Sequence, residues 1–290
     1  MKILASILVV AFLATNAFSQ RSYPPRIDGA DEHIYKKIDE VELKLWAFSP
    51  EEDSDNARPA MLFFFGGGWR SGSPIQFVPH SQYLSKRGMV GIVVDYRVAS
   101  RHQTKAKACV EDARDAVRFL RKHASELGVD PDKILVGGGS AGGHIAACLG
   151  VIAEDPESKP VAMALFNPAC VLAPYEGAFE ELAMKEKELS ERMGVPVKDL
   201  SPIHHVSDSS VPAVIFHGTE DKTVPYVTAA KFAEVMKAAG VKCVLHSYEG
   251  EGHGFFNANR QTKEGSDPVF PKTLEQLDAF LVELGVLEAE

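Results

Sequence analysis

Uninterrupted apolar runs alternate along this chain with amphipathic stretches. Residues 60–65 (AMLFFF), 89–94 (MVGIVV), 161–166 and 213–216 carry no charged side chain. Runs of that length and composition read as strands buried on both faces. Residues 133–136 and 241–248 add two further strands. Between them lie helical patterns at 77–87, 104–127, 141–152, 226–239 and 268–284. In the longest, Ala108, Ala113, Val117, Leu120 and Ala124 recur at helical spacing. Residues 33–48 alternate instead, predicting two strands around a turn near Asp39 and Glu40. Strand–helix alternation predicts an α/β fold: a mostly parallel sheet covered by helices on both faces. Residues 171–200 are charged and helical in pattern, and out of step with that alternation. They read as a small helical insertion over the C-terminal edge of the sheet, where such folds bind ligands. Residues 20–32 form an N-terminal arm, and 33–290 a single domain.

Composition narrows the function. The chain has 290 residues, 45% of them hydrophobic and 24% charged, with a formal net charge of −9. That excludes a disordered chain and disfavours nucleic acid and anionic membrane surfaces as partners. The N-terminus reads MKILASILVVAFLATNAFSQ. A basic residue, an apolar run over 3–13 and the small-x-small Ala17-Phe18-Ser19 make a secretory signal peptide, cut between Ser19 and Gln20. The run falls short of the ~20 apolar residues of a spanning helix. The expected location is therefore secreted or periplasmic. The four cysteines (Cys109, Cys148, Cys170, Cys243) form no CxxC pair and offer no zinc site. Buried free thiols are expected, with one disulfide as the alternative.

Four segments carry chemistry. Gly138-Gly139-Ser140-Ala141-Gly142 is a G-x-S-x-G between a predicted strand and helix. A nucleophilic serine needs a sharp turn there, with small residues at ±2 to let strand and helix approach. Gly252-His253-Gly254 places an imidazole in the loop before the last helix, as a candidate base. His217-Gly218-Thr219-Glu220-Asp221 follows another strand, and Glu220 and Asp221 are both candidates for the acid that orients the base. Phe65-Gly66-Gly67-Gly68-Trp69 follows a buried strand, where glycine N–H groups can turn toward an anion. No GK[ST] follows, which excludes a P-loop. Arg70 is the only lysine or arginine within three residues of either glycine run, and the lack of an evident basic partner there argues against a phosphate-binding protein. His204-His205 lacks companion ligands for a metal.

Together FFFGGGW (63–69), VVDYR (93–97), VDPDKILVGGGSAGGHIAA (129–147), SPIHHVS (201–207), HGTEDKTVP (217–225) and GEGHGF (250–255) resemble the α/β-hydrolase superfamily. Within it the chain is most similar to carboxylesterases grouped with hormone-sensitive lipase, and to acetyl-xylan and feruloyl esterases. The resemblance spans about 58–284. It implies Ser140 as nucleophile, Asp221 as acid and His253 as base, in that chain order. It implies an oxyanion hole from the N–H groups of Gly67, Gly68 and Ala141, with Trp69 lining the pocket, and no metal or organic cofactor. One position departs: the family usually has His before the three glycines, and here Phe65 stands and can serve only by packing.

The expected activity is hydrolysis of short-chain carboxylic esters by a secreted serine esterase. The expected partner is a small-molecule or glycan ester, with acetyl groups on carbohydrate foremost and no membrane contact after signal cleavage. The charged composition of the insertion argues against a large apolar lipase lid. Feruloyl esters, a peptidase on the same triad and a non-catalytic binding protein are the alternatives.

Overall fold

The structure, a computed structural model, describes residues 23–51, 56–152, 155–260 and 269–289. The signal-peptide segment and its cleavage position lie outside the described residues.

Eight strands form one sheet in the order β1-β2-β4-β3-β5-β6-β7-β8. They are β1 (Asp31–Ile38), β2 (Val41–Phe48), β3 (Arg58–Phe64), β4 (Val90–Val94), β5 (Val129–Gly139), β6 (Met163–Phe166), β7 (Ala213–Gly218) and β8 (Cys243–Tyr248). β1 and β2 pair antiparallel, as does β2 with β4; every pairing from β4 through β8 is parallel. The helices are α1 (Val78–Lys86), α2 (Ala99–His102), α3 (Ala106–Lys122), α4 (Ala141–Val151), α5 (Glu186–Met193), α6 (Tyr226–Ala238) and α7 (Val269–Glu283).

The apolar strands are buried on both faces because successive side chains point to opposite sides. On β3, Leu62 and Phe64 enter one core with residues of α3, α4 and α6, such as Val117, Ile145 and Phe232. Met61 and Phe63 enter the other, with Leu84 of α1 and Leu277 of α7. Two cores sandwich one sheet, so the strand ends along its C-terminal edge are held from both sides.

Three local outcomes differ from the sequence expectation. β5 begins at Val129, four residues before the strand expected at 133–136, because Val129 pairs with Arg58 across a register shift and its polar neighbours face outward. α3 ends at Lys122, and the chain turns until Gly128 at φ +63°. The insertion is helical, as expected, but in short separate pieces rather than one continuous helix. A 3-10 turn (Glu180–Lys185), the two-turn α5 and a second 3-10 turn (Val197–Leu200) follow one another, because Pro174, Gly177 and the Gly194–Pro196 stretch break the pattern. All four cysteines are buried and free. Among the described residues no helix is long and apolar enough to cross a membrane.

Candidate active site

β5 runs into α4 through Ser140, whose backbone sits at φ 54°, ψ −115°. That region is costly for a non-glycine residue and persists only where its surroundings enforce it. The enforcing contacts are visible. A Cβ on Gly142 would stand 2.0 Å from the Phe64 carbonyl oxygen, and one on Gly138 2.5 Å from the same oxygen. Glycines at ±2 therefore let α4 press against β3 while the turn lifts Ser140 to the sheet edge. The Ser140 N–H donates to the Phe166 carbonyl at 2.8 Å, which ties the turn to the end of β6.

Ser140 and His253 line one open cavity of about 930 Å³ at the C-terminal edge of the sheet. His253 Nδ1 lies 2.7 Å from Asp221 Oδ2. Asp221 is buried against His253, whereas Glu220 is exposed. The fold thus separates two carboxylates that spacing leaves equivalent. Asp221 Oδ1 also accepts the Thr223 and Val224 N–H groups at 2.8 and 2.9 Å, and His217 Nε2 lies 3.3 Å from Oδ2. Burial pushes the Asp221 carboxyl up, but hydrogen bonds from His217, His253 and the Val224 N–H outweigh it and hold it well below the ordinary carboxylate range. A charged Asp221 keeps the proton on His253 Nδ1 and leaves a lone pair on Nε2, facing the cavity that Ser140 lines.

The glycine run after β3 forms the opposite wall. Gly67 and Gly68 adopt φ +127° and +62° and line the same cavity. Ala141 is the first residue of α4, so its N–H is one of the helix's unpaired donors. Among the described residues the N–H groups of Gly67, Gly68 and Ala141 have no backbone acceptor. Three uncommitted donors beside a serine are what an oxyanion requires.

Several contacts hold this loop. Phe65 stacks on Tyr96 with ring centroids 4.1 Å apart, and the Tyr96 hydroxyl donates to the Phe65 carbonyl at 2.6 Å. Packing plus one phenol hydrogen bond thus anchors the loop at the position where the resemblance implies histidine. Gly66 N–H donates to Gln76 Oε1 at 2.6 Å, and Gln76 Nε2 donates to Asn257 Oδ1 at 3.0 Å. Asn257 Nδ2 donates in turn to the Gly254 carbonyl at 2.8 Å. These two amides link the loop to the segment carrying His253.

Trp69 is a correction. The resemblance implies a pocket-lining role, but its indole is turned into the fold and is not among the residues lining the catalytic cavity. Its Nε1 donates to His144 Nδ1 at 3.1 Å. His144 Nε2, 2.7 Å from the Leu200 carbonyl, carries that ring's proton. Burial pushes His144 down to about 4, which keeps it neutral and able to accept. Basic residues also come nearer than the sequence suggests. Arg192 of α5 donates to the Gly68 carbonyl at 3.0 Å and lies over the Trp69 ring at 5.2 Å. The insertion therefore reaches the glycine loop. Among the described residues it contributes nothing to the cavity wall, which comes instead from Tyr23 and Pro25 of the arm, Ile75, Pro79 and residues 254–259. His204 and His205 each lie against a backbone carbonyl, of Pro174 and Lys198.

A family model described as the alpha/beta hydrolase fold matches residues 61–257, a span that contains Ser140, Asp221 and His253. The chain belongs to the α/β-hydrolase-fold family. A thermophilic esterase from the Planctomycetes species Thermogutta terrifontis superposes with a TM-score of 0.85 at 46% identity, covering 93% of this chain and 98% of that one. The same esterase with butyrate bound superposes at 0.86, with 46% identity, 93% of this chain and 100% of that one. Phosphorylated by paraoxon, it superposes at 0.82, with 45% identity, 93% and 99%. An esterase of Mycobacterium tuberculosis is 30% identical over 215 residues, 68% of this chain and 53% of its own length. The chain spans about half the length of the first curated relatives it matches. These relatives are named as esterases or carboxylic ester hydrolases.

Proposed function

We propose that this protein is a secreted serine esterase acting on short-chain carboxylic esters, with acetyl groups on carbohydrate as the leading substrate. The observation that carries the reading is the buried Asp221 carboxylate bonded to His253 Nδ1, beside a strained Ser140 on the same cavity. In this reading His253 Nε2 takes the Ser140 hydroxyl proton as Oγ bonds to the ester carbonyl carbon. The N–H groups of Gly67, Gly68 and Ala141 receive the oxyanion. The carbonyl re-forms, the alcohol leaves with the proton from Nε2, and water hydrolyses the acyl-enzyme by the same route.

A short acyl group is supported by the butyrate-bound structural neighbour, and a reactive nucleophile by the same neighbour's phosphorylation by paraoxon. Secretion rests on residues 1–19. A carbohydrate alcohol fits an open cavity with amide side chains, Gln76 and Asn257, on its wall. The test is acyl release from 4-nitrophenyl esters, C2 to C12, beside acetate and ferulate release from xylan, with Ser140→Ala as control. Activity highest at C2 to C4, acetate release, and loss of both in S140A are expected. Equal activity in S140A overturns the serine mechanism, and ferulate release without acetate moves the substrate to feruloyl esters.

A further inference from the structure

Asn167 is placed where the proposed mechanism has no role for it. It follows β6 directly, between the Ser140 turn and the end of β7, and its N–H donates to the Phe216 carbonyl at 2.7 Å. The side chain is fully buried, yet it belongs to the wall of the catalytic cavity. Its backbone is left-handed, at φ +35°. Its Oδ1 is buried without a hydrogen-bond partner. An unpaired buried carbonyl and a left-handed backbone are both costs. An apolar side chain would avoid the first, so packing does not explain an asparagine here.

What the amide does gain is one directed contact. Asn167 Nδ2 lies 3.5 Å from His253 Nε2, the only hydrogen-bonding neighbour of that nitrogen among the described residues. Asp221 holds the ring proton on Nδ1, so Nε2 presents a lone pair. An amide N–H facing it is attractive. Once Nε2 is protonated, the same N–H faces another N–H and the contact turns repulsive. Asp221 and Asn167 therefore act in opposite senses on the two ring nitrogens. The carboxylate favours the imidazolium, and the amide favours its discharge.

We propose that Asn167 is a positioning residue that drives the proton of the His253 imidazolium onto the leaving alcohol. It takes and gives no proton itself. During acylation the proton moves from Ser140 Oγ to Nε2 as the Oγ–C bond forms. It moves from Nε2 to the alcohol oxygen as the C–O ester bond breaks, and the amide destabilises only the state between. The consequence depends on the leaving group. 4-Nitrophenolate departs without a proton, whereas an alkoxide must receive one.

This inference rests on the serine-esterase reading and is tested separately from it. Wild type, Asn167→Ala and Asn167→Asp are assayed on 4-nitrophenyl acetate and ethyl acetate, which form the same acetyl-enzyme. The quantity read is the ratio of kcat/KM for the ethyl ester to that for the nitrophenyl ester, because kcat/KM reports acylation. N167A is expected to lower the ratio about tenfold. N167D keeps the shape and tolerates the left-handed backbone; its carboxylate, beside Nε2, strengthens the imidazolium and lowers the ratio further. A structural role would slow both esters equally, and an unchanged ratio in both variants overturns the proposal. Wild-type activity that survives S140A instead overturns the esterase reading beneath it.

Discussion

At Asp221, burial opposes the carboxylate and four donors favour it. The Thr223 and Val224 N–H groups fix one oxygen, and His253 and His217 approach the other. Replacing it with Asn keeps the shape and the two backbone bonds to Oδ1. The new amide NH2 then faces His253 Nδ1 and donates to it, which forces the ring proton onto Nε2. A ring protonated there has no lone pair for Ser140. D221N should therefore fold normally and lose kcat on the order of 10³- to 10⁴-fold, measured by 4-nitrophenyl acetate turnover beside thermal unfolding. A loss below tenfold in folded protein would show that another group orients His253. His253 stood out in sequence as a glycine-flanked histidine before the last helix, whereas spacing left Asp221 level with Glu220 and only the resemblance preferred it. Gln76, Asn167 and Asn257 did not stand out. Isolated amides have no spacing signature, and they acquire meaning only when the fold brings positions 76, 167 and 257 to one cavity.

Among the elements, the glycine loop after β3 shows how a segment without regular structure is held. Its anchors come from different places: Tyr96 after β4, His144 on α4, Gln76 before α1 and Arg192 on α5. The Gln76 anchor is the one that continues, through Asn257, into the His253 segment. Gln76→Met preserves the length of the side chain but leaves the buried-side Gly66 N–H unpaired, a loss of about 1–3 kcal/mol. It also releases the two walls of the site from each other. We expect Q76M to lower kcat about tenfold with KM little changed, since the loop's donors act most on the transition state. A rise in KM alone would assign Gln76 to substrate binding. A harsher case tests the strand–helix contact. Gly142→Ala drives a Cβ to 2.0 Å from the Phe64 carbonyl, so α4 or β3 must shift, and both stability and turnover should fall together. The strand runs and the G-x-S-x-G turn were readable because buried strands leave continuous apolar stretches. The extension of β5 back to Val129 and the breakup of the insertion were not, since both depend on what the segment packs against.

For the whole molecule, the two cores and the parallel sheet followed from the sequence pattern, while the arm's place did not. Tyr23 of the arm reaches the cavity wall, donates its hydroxyl to Asp95 and lies under the Arg101 guanidinium, 3.7 Å from its ring centroid. Asp95 is 2% exposed, and burial pushes its carboxyl up to about 6, against the opposing pull of Tyr23 and Arg101. The sign of the resulting pH dependence follows. Below about 4 the group is protonated in the folded and unfolded chains alike, so it carries no penalty. As pH rises toward 6, the unfolded chain releases the proton first, and the fold loses stability until its own carboxyl ionises. A shift of this size corresponds to about 3 kcal/mol. Asp221 works the other way: its contribution is present above the ordinary carboxylate range and fades only as pH falls below it. The two are separated by a difference measurement. Urea unfolding of wild type and Asp95→Asn at pH 4 and pH 7.5 cancels Asp221, which both proteins share. Wild type should lose stability relative to D95N on going to pH 7.5. A difference that does not change with pH would mean that Arg101 and Tyr23 fully compensate the buried charge, so that the arm docks on an ionised carboxylate at either pH.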